Sequence, residues 1–211
     1  MENNNFFEEY NRWNKVLVLA DCASSIIVNK LEVFRKIKKV TDVDPIEHIK
    51  TRVKSLESIN EKLQRKGFNV SLDNAIEYIN DIAGVRVICL YIKDMYEIMD
   101  YIGKQDDIEI IKIKDYVSHP KKNGYKSIHL IVEVPIYIEE ELKKMKVEIQ
   151  IRTVGMDYFA SIEHRVIYKT SQNQNISLET ELKECSEFIE ALDNRITKID
   201  DLIQELEQSE E

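Results

Sequence analysis

The segment 147-VEIQIRT-153, with 121-KKNGYKSIHLIVEVP-135 upstream of it, alternates apolar and polar residues with the period of a β-strand. Val147, Ile149 and Ile151 share one parity; Glu148, Gln150 and Arg152 share the other. Upstream, Ile128, Leu130, Val132 and Val134 alternate with Tyr125, Ser127, His129, Ile131 and Glu133. Successive side chains on a strand point to opposite faces, so each segment can bury one row and aim the other into a cleft. A carboxylate, an amide, a guanidinium, an imidazole and an aromatic ring are thereby predicted on one sheet surface. That is the layout of an active site.

Around these strands the chain alternates helical and extended patterns. Residues 7–39 lack Gly and Pro and read as one long helix or two. Asp44-Pro45 reads as a cap and first helical position, opening a helix to about Arg65, with Gly67 closing it. A short helix is expected over 73–80. The β-branched run 84-GVRVICLYI-92 reads as a central strand covered on both faces. A helix over 94–103 and an alternating strand over 108–115 come next. A basic turn around Pro120 and Gly124 then leads to the strand from Tyr125, and Glu139–Lys144 reads as a hairpin connection. Helices are expected at about Met156–Lys169 and Leu178–Gln208. In the last, Leu178, Leu182, Cys185, Ile189, Leu192, Ile196, Ile199, Ile203 and Leu206 form a heptad seam. It either packs on the chain's own N-terminal helix or joins subunits.

A chain of 211 residues, 43% hydrophobic and 33% charged, suits a single domain. No apolar run approaches the roughly 20 residues of a membrane span. The acidic, polar stretch MENNNFFEEY is not expected to be a signal or transit peptide. Cys22, Cys89 and Cys185 are odd in number and lack ligand spacing, which predicts free thiols in a reducing cytoplasm. The net charge of −9 resides in residues 177–211, with 12 acidic and 3 basic side chains. Residues 1–176 are balanced. Within them bases cluster at Lys50, Arg52, Lys54, Lys62, Arg65 and Lys66, and at Lys112, Lys114, Lys121, Lys122 and Lys126. Local fields of this kind suit an anionic ligand despite the acidic total.

Asp81, in 81-DIAGVR-86, and Glu148 stand among these bases. Singly they read as a turn cap and a solvated strand residue. Jointly they suit Mg²⁺ shared with phosphates, because Mg²⁺ takes only one or two protein carboxylates. The stretches 52-RVKSLESI-59, 81-DIAGVRVIC-89, 115-DYVSHPKKNGYKSIHLIVEVP-135, 148-EIQIRT-153 and 156-MDYFASIEH-164 stand in one order across about residues 45–169. This ordered set resembles the synthetase domain of the RelA/SpoT family, in its small alarmone synthetases of the RelQ type. The resemblance implies an α+β fold, a nucleotidyltransferase-like mixed β-sheet flanked by helices, with long N- and C-terminal helices. The single synthetase domain is expected over 1–211, with the heptad helix at about 177–208.

The implied reaction transfers the β,γ-pyrophosphate of ATP to the 3′-hydroxyl of GDP or GTP, giving AMP and (p)ppGpp; GMP is a further candidate acceptor. By resemblance, Arg52 and Arg86 sandwich adenine, a role that planar guanidinium groups suit and Lys does not. Lys54, Lys62 and Arg65, expected on one basic helix, take the ATP phosphates. Tyr125 is the guanine platform. Lys114, Lys121 and His129 are candidate contacts to acceptor phosphate or ribose, although a lone strand His is more often structural. Lys122 and Lys126 read equally well as solvated bases. Glu148 activates the 3′-hydroxyl, and Asp81 anchors Mg²⁺ with Glu148 as the second carboxylate. Gln150 and Arg152 orient Glu148 or touch nucleotide, a salt bridge being an equal account of Arg152. The resemblance also implies a homotetramer whose central cleft binds alarmone or single-stranded RNA. The sequence departs from that cleft at His48, Lys50 and Asp157, where an aromatic, a small polar residue and Asn are expected. No His-Asp pair marks the family's hydrolase. Two other classes compete: a nucleotide- or nucleic-acid-binding module, and a nucleotidyltransferase. A pure binder gains nothing from placing Asp81 and Glu148 beside phosphate, and nucleotidyl transfer usually needs carboxylates closer together on one strand.

Overall fold

Ala20, Ala23, Ile27 and Leu31 form one fully buried stripe along the first helix, and they decide how the chain packs in this computed structural model. The structure describes residues 2–41, 44–138, 140–169 and 176–209. Helix α1 (Glu2–Thr41) is continuous and lies across one face of a five-stranded sheet. Its two alanines let it approach closely. The strands are β1 (Ile46–Val53), β2 (Ala83–Cys89), β3 (Glu109–Asp115), β4 (Ile128–Ile138) and β5 (Glu141–Thr153), in the order β1-β2-β5-β4-β3. Only β2 and β5 run parallel. Val85, Leu130, Val132, Val147 and Ile149 lie in the core shared with α1, joined by Met95, Ile98 and Ile102 of α4 (Ile92–Gly103). Truncating so buried a contact leaves a cavity. Leu31→Ala is expected to cost about 2–5 kcal/mol, read as a lower urea midpoint at unchanged slope.

The expected helix from Asp44-Pro45 is instead strand β1. Four of its eight residues, Ile46, Ile49, Thr51 and Val53, are β-branched, and pairing with β2 favours the extended form. Asp44 does act as a local acceptor, but for a turn: its Oδ1 accepts from Ile46 N at 3.1 Å. Its Oδ2 holds Arg35 at 2.6 Å and Lys39 at 2.8 Å. Ser55 caps α2 (Leu56–Arg65), accepting from Ser58 N at 3.3 Å. Gly67, at φ +80°, comes just past its C-terminus as expected. The supposed basic helix therefore splits: Arg52 is on β1, Lys54 is in the connection, and Lys62 and Arg65 are on α2. Helix α3 (Leu72–Tyr78) leads back to β2.

Three further expectations change. Strand β2 is interior as expected, between β1 and β5, but its two faces are not covered alike: Val85 and Val87 lie in the core shared with α1, while Gly84 and Arg86 line the opposite cleft. Strand β4 begins at Ile128, so Tyr125 and Ser127 precede it; buried Ser127 Oγ donates to Ile151 O at 3.0 Å instead. The last helix, α6 (Ile176–Ser209), lies along α5 (Val154–Lys169), not α1. Its seam residues Leu192, Ile196, Ile199, Ile203 and Leu206 are exposed. Cys22, Cys89 and Cys185 are free. Among the described residues no helix is long and apolar enough to cross a membrane.

Candidate active site

Strand register places two rows of residues side by side on the sheet face away from α1. The first row runs Arg52, Gly84, Glu148, Ile131, Lys112; the second runs Lys50, Arg86, Gln150, His129, Lys114. Each row has bases at its ends and a β5 carboxylate or amide at its centre. Residues spread over more than ninety positions thus meet because β5 sits between β2 and β4.

The β1–β2 side of these rows is a cleft of about 350 Å³. Arg52, Lys54, Asp81, Arg86, Glu148 and Gln150 line it, so the two acids share one pocket. Arg52 and Arg86 are diagonal neighbours on an antiparallel pair, a relation that spaces residues about 7–8 Å apart. Both side chains line the cleft. Arg65 is exposed and outside the lining.

Asp81 lies just before β2. Its Oδ2 meets Lys62 Nζ at 2.8 Å and Lys54 Nζ at 3.1 Å, while its Oδ1 is buried without a hydrogen-bond partner. Burial pushes this carboxyl up, but the two ammonium groups outweigh burial and hold it below its usual range. A buried, unpartnered, ionised oxygen in one cleft with Glu148 fits a hard divalent cation. Among the described residues no cluster of three or more His, Cys, Asp or Glu could hold a metal. Oxygens beyond these two acids would have to come from phosphates and water.

Glu148 belongs to a closed ring of five side chains. Its Oε2 accepts from Gln150 Nε2 at 2.7 Å. Gln150 Oε1 accepts from Arg152 Nη2 at 3.0 Å, and the same Nη2 donates to Tyr125 Oη at 2.7 Å. Tyr125 Oη lies 3.0 Å from His129 Nε2. His129 Nδ1 lies 3.6 Å from Glu148 Oε1. Burial pushes Glu148 up; His129 and Gln150 more than offset it, leaving the carboxyl below its usual range.

The remaining expected residues fall into place around this ring. Lys114 pairs across from His129. Lys121 Nζ stands 4.1 Å from the centre of the Tyr125 ring. Tyr125 itself is only 4% exposed and edge-on to Tyr116 and His129, so stacking a base on it requires Lys121 to swing aside. Arg152 does make the alternative salt bridge, to Asp157 Oδ1 at 2.9 Å, besides its ring contacts. Lys126 is bound to Glu190 at 2.5 Å; Lys122 is exposed. Sequence reasoning missed Asp157 as a site residue. Its Oδ1 also holds Arg86 Nη1 at 3.2 Å, tying Arg86 to the ring. Its place in the first turn of α5 was a legible signal of a fixed acid, but its partners were not.

Residues 51–173 match the family described as "Region found in RelA / SpoT proteins". The chain belongs to that family. It is 46% identical over 156 residues to the GTP pyrophosphokinase YwaC of Bacillus subtilis, covering 74% of each chain. It is similar in structure to small alarmone synthetase 2 from Bacillus subtilis, with a TM-score of 0.80 and 40% identity over 90% of this chain and 98% of that one. It is also similar to small alarmone synthetase 1 from the same organism bound to its product pppGpp. There the TM-score is 0.81 and the identity 33%, over 92% of this chain and 98% of that one. The α+β architecture expected for the family, with its long terminal helices, is the one this chain adopts.

Proposed function

We propose that this protein is a GTP pyrophosphokinase of the small alarmone synthetase kind, moving the β,γ-pyrophosphate of ATP onto the 3′-hydroxyl of GDP or GTP. The 3′-oxygen attacks the β-phosphorus, the bond from that phosphorus to the α-phosphate's bridging oxygen breaks, and AMP leaves. The observation that carries this reading is the shared cleft of Asp81 and Glu148, flanked by bases on both sides of β5. Relatives that bear the name GTP pyrophosphokinase, and one solved with pppGpp, support the same reaction.

In this assignment Arg52 and Arg86 grip adenine, and Lys54 and Lys62 reach the ATP phosphates. Lys114, Lys121, Tyr125 and His129 hold the guanosine nucleotide. Glu148 takes the 3′-hydroxyl proton as the new bond forms. A free Glu, with a pKa near 4.3, cannot deprotonate a sugar hydroxyl beforehand. Gln150, Arg152 and His129 fix the Glu148 rotamer, and positioning of this kind governs phosphoryl-type transfer. Asp81 and Glu148 would hold Mg²⁺, which supplies neutralisation of phosphate charge. The exposed apolar seam of α6 suits a homotetramer, and three free cysteines suit the cytoplasm.

The test is incubation with γ-labelled ATP, Mg²⁺ and each of GTP, GDP and GMP. Label is expected on the guanosine product, with AMP in equal amount. Label released only as free phosphate would exclude the reaction.

A further inference from the structure

Helix α6 has two faces of different chemistry. The outward one carries the exposed part of the seam, Leu192, Ile196, Ile199, Ile203 and Leu206. The inward one carries Ser186, Asp193 and Asp200, which are 6%, 5% and 9% exposed. They stand seven residues apart, about two helical turns, and so form one stripe. A helix that turns its polar stripe inward needs a partner for every group it buries, and each of these has one.

Ser186 Oγ donates to Gly124 O at 2.6 Å. Gly124 sits at φ +85°, and a Cβ added there would lie 2.5 Å from Ser186 Cβ, so loop and helix are as close as a residue without a side chain permits. Four residues on, Glu190 Oε1 holds Lys126 Nζ at 2.5 Å. Asp193 Oδ2 accepts from Thr153 Oγ1 at 2.7 Å, and Thr153 Oγ1 accepts from Met156 N at 3.1 Å, capping α5. A Cβ on Gly155 would lie 2.7 Å from Ile189 Cγ2. The void left between helix and loop is only about 20 Å³, the room of a single water.

The pinned residues are not scattered. Gly124 and Lys126 bracket Tyr125, and Thr153 directly follows Arg152. Tyr125 and Arg152 are the two ring members that hand the Glu148 network over to the acceptor side. We propose that Ser186, Glu190 and Asp193 are positioning residues: through them α6 holds the Lys121–Ser127 loop and the Arg152–Thr153 corner in the geometry that binds the guanosine nucleotide. This rests on the assignment of that loop to the acceptor. The ATP side, built from β1, β2 and α2, has no direct hydrogen bond or ion pair to α6 among the described residues and meets this corner only through the Arg86–Asp157 pair, so the larger effect falls on the acceptor.

The experiment measures steady-state KM for GDP and for ATP, in the full chain with Mg²⁺, together with thermal midpoints. The double variant Ser186→Ala/Asp193→Ala is expected to raise KM for GDP about tenfold or more, two lost hydrogen bonds to held groups being worth that much. KM for ATP should stay within about twofold. Asp193→Asn should restore acceptor binding when it replaces Asp193→Ala, since an amide oxygen still accepts from Thr153. If the double variant does not fold, Glu190→Gln reads the same effect from an exposed position, as a smaller rise confined to KM for GDP. A matched rise in both KM values would make α6 a general brace and overturn the proposal. Lys121→Ala separates the two assignments. An unchanged KM for GDP in Lys121→Ala sinks the placement of the acceptor on this loop, and the proposal with it. A raised one beside unaltered α6 variants sinks the α6 inference alone.

Discussion

Glu148→Gln is expected to lower kcat by about 10²–10⁴-fold, with the fold intact and KM for ATP little changed. The substitution keeps the shape of a side chain already gripped by Gln150 at 2.7 Å and removes only its charge and basicity. A proton in flight exists only in the transition state, so the loss belongs to kcat rather than to ground-state binding. The pH profile gives a second reading. His129 and Gln150 hold the Glu148 carboxyl below its ordinary 4.5 against the opposing effect of burial. The wild-type rate should therefore fall on acidification only below about pH 4.5, where the carboxylate takes up a proton. In Glu148→Gln that limb should vanish. Near-normal turnover in the variant would remove Glu148 from the proton-accepting role.

Asp81→Asn should be nearly as damaging, by another route. The amide cannot balance Lys54 and Lys62, and it offers no charge where Oδ1 lies buried and unpartnered. Turnover is expected to drop about 10²–10³-fold, the scale of a lost electrostatic contact to developing phosphate charge. The Mg²⁺ concentration giving half-maximal rate should rise. An unchanged Mg²⁺ response would exclude Asp81 as the metal's anchor. Stability changes with pH in a definite direction. Lys62 and Lys54 depress the folded-state pKa of Asp81 below 3.8, so its stabilisation is present above the unfolded-state value and is lost as pH falls through the folded one. Urea midpoints of wild type and variant should differ at pH 7 and converge in strong acid.

The chemistry was more legible than the element boundaries. Parity along 147-VEIQIRT-153 put Glu148, Gln150 and Arg152 on one face because strand geometry is local, and all three do share it. The stretch after Asp44-Pro45 was misread because a capping acid and a proline open a turn as readily as a helix. Residues 46–53 are extended because they pair with β2, a contact no local pattern reports. Tyr125 was placed on the right side of the sheet, yet its burial under Lys121 depends on a loop whose path α6 helps to set. Asp157 was read only as a departure from the family's cleft, because its two arginine partners come from different strands.

From sequence alone one could determine the residue types, their parity, the periodic seam of the last helix and the ordered motifs of a family. Each is carried by a few consecutive residues or by a fixed spacing. Tertiary structure alone decided which strands are neighbours, and with that the rows from Arg52 to Lys112 and from Lys50 to Lys114. It also turned the polar stripe of α6 inward together with Leu182 and Ile189 of the seam, and left the seam from Leu192 onward exposed. The reason is that hydrogen-bond register and buried polar pairing join residues far apart in the chain, whereas a sequence pattern reports only what each residue would do among its neighbours.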